Sequence, residues 1–221
     1  MNEKEMLINS LKSSGILRSK KIENVFRKID RRLFVPEDLK ESAYVDAPLP
    51  IPGNVTISAP HMHVMCLEEL NLKKGEKFLE VGAGSGIMLA YAYELVRERN
   101  KVFGIEINEE AYEFGLENLK RAGYLDKVKL ILGDGGFGLP TEAPFDKILI
   151  SAASPDVPKP LLEQLKNGGI LLFVLDKEIE GQFLTKVKKL NEKSYDLNII
   201  TPVSFVRLKG KYGFQSHEKD F

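Results

Sequence analysis

The chain has one cysteine, Cys66, no tryptophan and only three histidines in 221 residues. A single cysteine excludes an intramolecular disulfide framework and a cysteine-based structural zinc site. It favours a reducing compartment, so a cytoplasmic setting is expected. Net charge is missing too, because 32 Lys and Arg balance 32 Asp and Glu. No broad basic face for duplex nucleic acid is therefore indicated. No apolar run approaches the roughly 18 residues that a membrane span needs. Residues 1–12 mix charged with apolar side chains and do not read as a signal peptide. Neither nucleic acid nor membrane is expected as a partner, and a monomer is expected.

What is present suffices for one domain, since 43% of the residues are hydrophobic. Residues 1–33 read as helical, with Leu7, Leu11, Ile22, Val25, Phe26 and Ile29 at helical spacing and Ser19 placed to cap the second helix. Pro48, Pro50 and Pro52 then forbid a helix and predict an extended loop over 44–58. A helix is predicted from about Pro60 to Leu70.

From residue 77 strands and helices alternate. Strands are expected at Phe78–Val81, Val102–Ile107, Val128–Leu132, Lys147–Ile150 and Ile170–Leu175, with helices near 86–98, 109–122 and 160–166. Such alternation implies a parallel sheet covered on both faces. Gln182–Leu190 and Leu197–Leu208, separated by a turn at Asn191–Asp196, predict a β-hairpin, and Lys209–Phe221 a loose polar tail. The expected fold is α/β: a doubly wound, mostly parallel sheet with an antiparallel C-terminal edge and a helical N-terminal extension. It divides into a helical region with a substrate-side loop, 1–58, and an α/β core, 59–221, in one compact domain.

The sharpest local signal is Phe78 to Gly86, a buried strand entering a glycine turn before a helix. Gly82, Gly84 and Gly86 permit a tight turn and close approach of a ligand to the main chain. A dinucleotide fingerprint would need a glycine where Ile87 stands. No Lys or Arg occurs between Lys77 and Arg97, and the ending of a P-loop is absent. The loop thus suits a nucleoside with a positive, phosphate-free tail, and S-adenosylmethionine fits. Glu80 precedes the turn, where it can either orient loop amides or touch the ligand. Glu106, at the end of the next strand, can accept from ribose hydroxyls, and Asp134, in Gly133-Asp134-Gly135, from an adenine amino group. All three acids fall at the carboxyl ends of strands, where open α/β sheets bind ligands.

The stretch from Tyr44 to His63 contains Thr56-Ile57-Ser58-Ala59-Pro60-His61. Together with Gly133-Asp134-Gly135, Ala143 to Asp146, Ala152 to Pro155, Gln164 to Gly169 and Ser204 to Leu208, it resembles the protein-L-isoaspartate O-methyltransferases. The resemblance spans roughly residues 34–208, and the segment around Ser58 is its most specific part. It implies methyl transfer from S-adenosylmethionine, leaving S-adenosylhomocysteine, to the free carboxylate of L-isoaspartyl and often D-aspartyl residues. The ester then closes to a succinimide, part of which hydrolyses to normal aspartate. It also implies an altered order of the last strands and no metal. By position, Ser58 matches the active-site serine, with Thr56 and Ile57 beside it. His63, Glu80, Gly82, Gly84, Glu106, Asp134 and Gly135 match cofactor contacts.

The sequence departs from the family pattern at Pro50 to Asn54, at Ile87 where many members have Tyr, and at Arg207 where Pro is usual. Arg207 could pair with a substrate carboxylate or simply face solvent on a sheet edge. Read from its residues alone, Ser58 is first of all a helix N-cap ahead of Pro60. The spacing of His61 and His63 does not support a metal, and Cys66 reads as core. A methyltransferase acting on a small molecule or RNA, or a non-catalytic nucleoside-binding module, would share the glycine loop without needing the segment around Ser58.

Overall fold

The computed structural model describes residues 2–214. Two helices lead, α1 (Glu3–Ser13) and α2 (Lys20–Lys28), with apolar faces that bury Leu7, Ile8 and Leu11, and Ile22, Val25 and Phe26. The Asn2 side chain caps α1, while Glu3 and Glu5 at its start and Lys12 at its end complement the helix dipole. Ser19 does stand at the N-cap of α2, but its side chain makes no capping bond. Instead Glu68 accepts from the backbone amides of Arg18 and Ser19 at 2.9 and 2.7 Å. The start of α2 is thereby tied to another helix, not closed on itself. Two 3-10 turns follow, Arg31–Phe34 and Glu37–Ser42.

The proline-rich stretch is extended, as expected, but it is more ordered than a loop. β1 (Leu49–Ile51) and β2 (Val55–Ile57) pair antiparallel, with Pro50 opposite Thr56. Proline is tolerated in a two-stranded ribbon because each strand is an edge. Helix α3 (Pro60–Leu70) has the bounds expected from the sequence.

The core alternates β3 (Phe78–Val81), α4 (Ile87–Val96), β4 (Val102–Glu106), α5 (Glu109–Arg121), β5 (Lys129–Leu132), β6 (Phe145–Ser154), α6 (Lys159–Glu163) and β7 (Leu165–Asp176). β8 (Gln182–Asn191) and β9 (Ser194–Val203) complete it. The sheet order is β5-β4-β3-β6-β7-β8-β9, with β3 to β7 parallel and the last two strands antiparallel. The final three strands are sequential neighbours. The strand order reverses at β3, which pairs with β4 on one side and β6 on the other. A ligand crevice at the carboxyl end of such a switch follows from the connectivity. One apolar layer packs α1 to α5 against the sheet, and a second, with Phe103, Phe145 and Phe173, lies on the other face.

The C-terminal reading needs three corrections. The hairpin turn is tighter than Asn191–Asp196, since β8 runs to Asn191 and β9 starts at Ser194. β9 ends at Val203, not Leu208, just after Pro202, which has no amide to donate. The chain then crosses to β6, where Leu208 donates to the Ala153 carbonyl at 2.7 Å. Residues 209–214 are not loose either. The amide of Lys211 donates to Asp134 at 2.9 Å, and Tyr212 meets Phe137 edge-on with ring centres 5.5 Å apart. Residues 215–221 of the expected tail lie outside the described residues. Arg207 is exposed, as the solvent-facing reading expected, and its charge is also engaged within the chain. Its Nε lies 3.6 Å from a carboxylate oxygen of Asp176, and its guanidinium sits 4.5 Å from the ring centre of Phe214.

Candidate active site

The glycine turn links β3 to α4, with φ of +81°, +48° and +81° at Gly82, Gly84 and Gly86. An L side chain in this left-handed region is strained, so the path needs glycine. The missing third glycine of a dinucleotide loop is compensated elsewhere. A side chain at Gly104 of β4 would meet Leu89 of α4 at 2.7 Å, and one at Gly115 of α5 would strike the Gly84 carbonyl. Helix-to-sheet closeness therefore comes from neighbouring elements. Ile51 of the β1–β2 hairpin reaches Gly84, and the Asn108 side chain donates to the Gly53 carbonyl at 3.1 Å. The hairpin thus lies across the turn.

Glu106 ends β4 and is buried. Its Oε2 accepts from Gly84 N–H at 2.8 Å, and its Oε1 from the amides of Ile107 and Asn108 at 2.9 and 3.0 Å. A carboxylate offers about four acceptor sites, so one remains for a ligand hydroxyl. Asp134 is similarly engaged. It accepts from Gly136 N–H and, through the tail, from Lys211 N–H, each at 2.9 Å. Gly135 packs so closely on Val81 that no side chain would fit.

Glu80 departs from one of its two expected roles, because no loop amide reaches it. Gly82 N–H goes to the Ile105 carbonyl and Gly84 N–H to Glu106. Glu80 Oε1 accepts from the Ser151 hydroxyl of β6 at 2.8 Å, while Oε2 is buried without a hydrogen-bond partner among the described residues. Burial pushes its pKa well above the ordinary carboxylate value, and the neighbouring Glu106 adds to the rise. The Ser151 hydroxyl opposes it. A buried acceptor left unmatched is costly, and a cation at Oε2 would resolve it. A positively charged nucleoside tail supplies that charge, so these residues fit S-adenosylmethionine.

The question of what caps α3 is answered by Asp46. Its Oδ1 accepts from the backbone amide of His61 at 2.9 Å and lies 2.9 Å from Nδ1 of the same residue. The N-cap position belongs to Ala59. Ser58 is relieved of capping, and its hydroxyl has no partner among the described residues. It lines a narrow cavity with Met62, His63, Cys66, Met88 and Ser151. His63 is buried there, and burial, reinforced by Arg31, holds its pKa well below the ordinary imidazole value. Burial pushes the Cys66 thiol up to about 12, which makes it an inert core residue. Thr56 is exposed on β2 and Ile57 is buried beside Ser58. No cluster of three or more metal-ligating side chains occurs among the described residues.

Sequence reasoning missed Arg31, Asp46, Asn108 and Ser151. Only Ser151 carried a usable signal, since it ends the apolar run of β6 as Glu80 nears the end of β3.

On a sheet of this order, an acid-flanked glycine turn with no cation in its sequence neighbourhood belongs to the Rossmann-like, S-adenosylmethionine-dependent methyltransferases. Comparison with known proteins narrows the class. Residues 2–213 match the family model described as protein-L-isoaspartate(D-aspartate) O-methyltransferase (PCMT). The protein-L-isoaspartate O-methyltransferase of Thermococcus onnurineus is 44% identical over 208 residues, 94% of each chain. That of Methanopyrus kandleri is 44% identical over 216 residues, 97% of this chain and 95% of its own. A Plasmodium falciparum structure described as a beta-aspartate methyltransferase (PCMT), in complex with S-adenosyl-L-homocysteine, superimposes with a TM-score of 0.84 at 30% identity. It covers 95% of this chain and 99% of its own. The chain belongs to the protein-L-isoaspartate O-methyltransferase family, which methylates isoaspartyl residues of proteins using S-adenosylmethionine.

Proposed function

We propose that Ser58 holds one oxygen of the isoaspartyl carboxylate while the other is methylated. The observation that carries this reading is the Asp46 cap, which leaves the Ser58 hydroxyl uncommitted beside His63. When bound, S-adenosylmethionine supplies a methyl group already activated by a positive sulfur. Thr56, Ile57, Ser58, His63, Glu80, Gly82, Gly84, Glu106, Asp134 and Gly135 would hold it. Gly84 lets the main chain approach, the remaining Oε2 site of Glu106 takes a ribose hydroxyl, Asp134 faces the adenine, and Glu80 Oε2 meets the positive tail.

The acceptor carboxylate is ionised at neutral pH, so no general base is required of the chain. Its residues have two tasks, to orient and to exclude water. Holding two reactants in attack geometry is worth about 7–11 kcal/mol. The apolar wall of Met62, Met88 and Leu149 beside Ser58 serves the second task. Ser58 acts as a hydrogen-bond donor, not a nucleophile.

In this reading residues 1–58 form the substrate side, with Thr56 to Ser58 also touching the cofactor, and residues 59–221 form the cofactor-binding core. D-aspartyl residues are a second substrate class, and the ester's closure to a succinimide starts repair. We place this activity in the cytoplasm, in a monomer without nucleic-acid or membrane partners. A reduced, buried Cys66 fits that setting, and no described helix is long and apolar enough to cross a membrane. The test is methyl incorporation into matched peptides containing isoaspartate or aspartate, with the native chain and Ser58→Ala. Labelling confined to isoaspartate and slowed about a hundredfold in the variant supports the reading. Equal labelling of both peptides, or normal turnover by the variant, rejects it.

A further inference from the structure

Arg31 is among the most deeply buried large side chains in the molecule, with 2% of its surface exposed. Nothing in the chemistry above uses it. Its Nη2 donates to the Ser58 carbonyl at 2.8 Å, and its Nη1 lies 3.3 Å from His63 Nδ1. Its Nε is buried without a hydrogen-bond partner, and no carboxylate of the described residues is paired with it. Burial lowers its pKa to about 10, against the opposing influence of Tyr91, Asp46 and Tyr44.

The His63 contact fixes a proton. A guanidinium has donors and no acceptor. A hydrogen bond from Nη1 therefore requires a lone pair on Nδ1, which leaves the ring hydrogen on Nε2. His63 and Ser58 share the narrow cavity, so its wall acquires an N–H beside an O–H. We infer that Arg31 is a positioning residue: it holds His63 as the Nε2–H tautomer and anchors the Ser58 backbone, so that both side chains present donors to a carboxylate. The tautomer stands on the Arg31 contact alone, whereas the carboxylate role rests on the seat proposed above. Two reactants carry the required group, the methionyl part of the cofactor and the isoaspartyl residue.

Two measurements on the full chain separate these points. Long-range proton–nitrogen NMR of histidine-labelled native protein reads the tautomer directly. A His63 proton on Nε2 is expected, and one on Nδ1 overturns the inference whatever the variants do. Arg31→Gln and Arg31→Lys are then titrated with S-adenosylhomocysteine and with 5′-methylthioadenosine, which has no amino-acid tail, and assayed for peptide KM. Arg31→Gln should weaken one carboxylate-bearing species about tenfold or more, leave methylthioadenosine within about twofold, and lose the fixed tautomer. Arg31→Lys should recover part of the loss. A loss confined to S-adenosylhomocysteine assigns the cofactor's carboxylate, and a rise confined to peptide KM assigns the substrate's. Equal weakening of both nucleosides, or no change in any ligand, overturns the carboxylate role. Normal turnover by Ser58→Ala with an Nε2–H His63 would reject the proposed seat and leave the tautomer standing.

Discussion

Replacing Glu80 by Gln should stabilise the free protein and weaken its ligand, two effects of opposite sign from one atom. In the folded chain the pKa of Glu80 lies well above the ordinary value of 4.5. Below about 4.5 the carboxyl is protonated in both folded and unfolded chains and contributes nothing. Above that, and up to its raised folded pKa, the native state keeps a proton that the unfolded state has released. Stability therefore falls as pH rises through this window. Glutamine removes the titration and, above the folded pKa, the charge at the unpartnered Oε2. A buried unsatisfied group costs about 1–3 kcal/mol, more if charged. For a chain of this size each kcal/mol moves Tm by about 2–4 °C. The variant should melt about 2–12 °C higher than the native chain near pH 8, with the gap closing towards pH 4.

Calorimetry should show the reverse for the ligand. S-Adenosylhomocysteine keeps the ammonium group, and losing a charge-assisted bond of about 1.5–3 kcal/mol weakens binding roughly 10- to 150-fold. Within the same pH window, binding to the native chain should release a proton, visible as a dependence of the heat on buffer ionisation. A variant that melts lower at every pH, or binds with unchanged affinity, would refute the placement of a cation against Glu80.

Four further outcomes are expected. Ser58→Ala should lower kcat/KM by about a hundredfold, impairing turnover more than S-adenosylhomocysteine affinity, with Tm nearly unchanged because Asp46 supplies the cap. Asp46→Ala should cost about 1 kcal/mol of stability in urea unfolding, the usual worth of a lost cap. Glu106→Ala frees three loop amides, so it should lower Tm as well as weaken nucleoside binding by about tenfold. An effect on only one of the two would contradict its double engagement. Gly86→Ala forces a side chain into φ +81° with Leu119 3.0 Å away, and denaturant unfolding should register a loss of about 1–2 kcal/mol.

What could be read from the sequence was local. The glycine turn, the strand before it and the bounds of α3 are written in adjacent residues, and the structure places them as the spacing requires. The acids at the ends of β4 and β5 were legible for the same reason, since strand periodicity sets where each carboxylate emerges. Contacts spanning long stretches of chain were not legible. Asp46 caps a helix from 15 residues upstream, and Arg31 meets His63 across 32 residues. No pattern of neighbours encodes either. The β1–β2 ribbon was hidden because three prolines read as a loop, although an edge strand tolerates them. The docked end of the chain was obscured by its polarity. Lys211 contributes a backbone amide there, a donor that every residue except proline possesses.

The hold that three amides keep on Glu106 has a consequence for how a ligand arrives. That carboxylate is set in its rotamer during folding, so its loss of side-chain freedom is settled before any nucleoside is present. An incoming ribose meets an acceptor already aimed, and association need not include a search for it. Preorganisation of this kind removes one ordering cost from binding, with the receptor acid itself standing still.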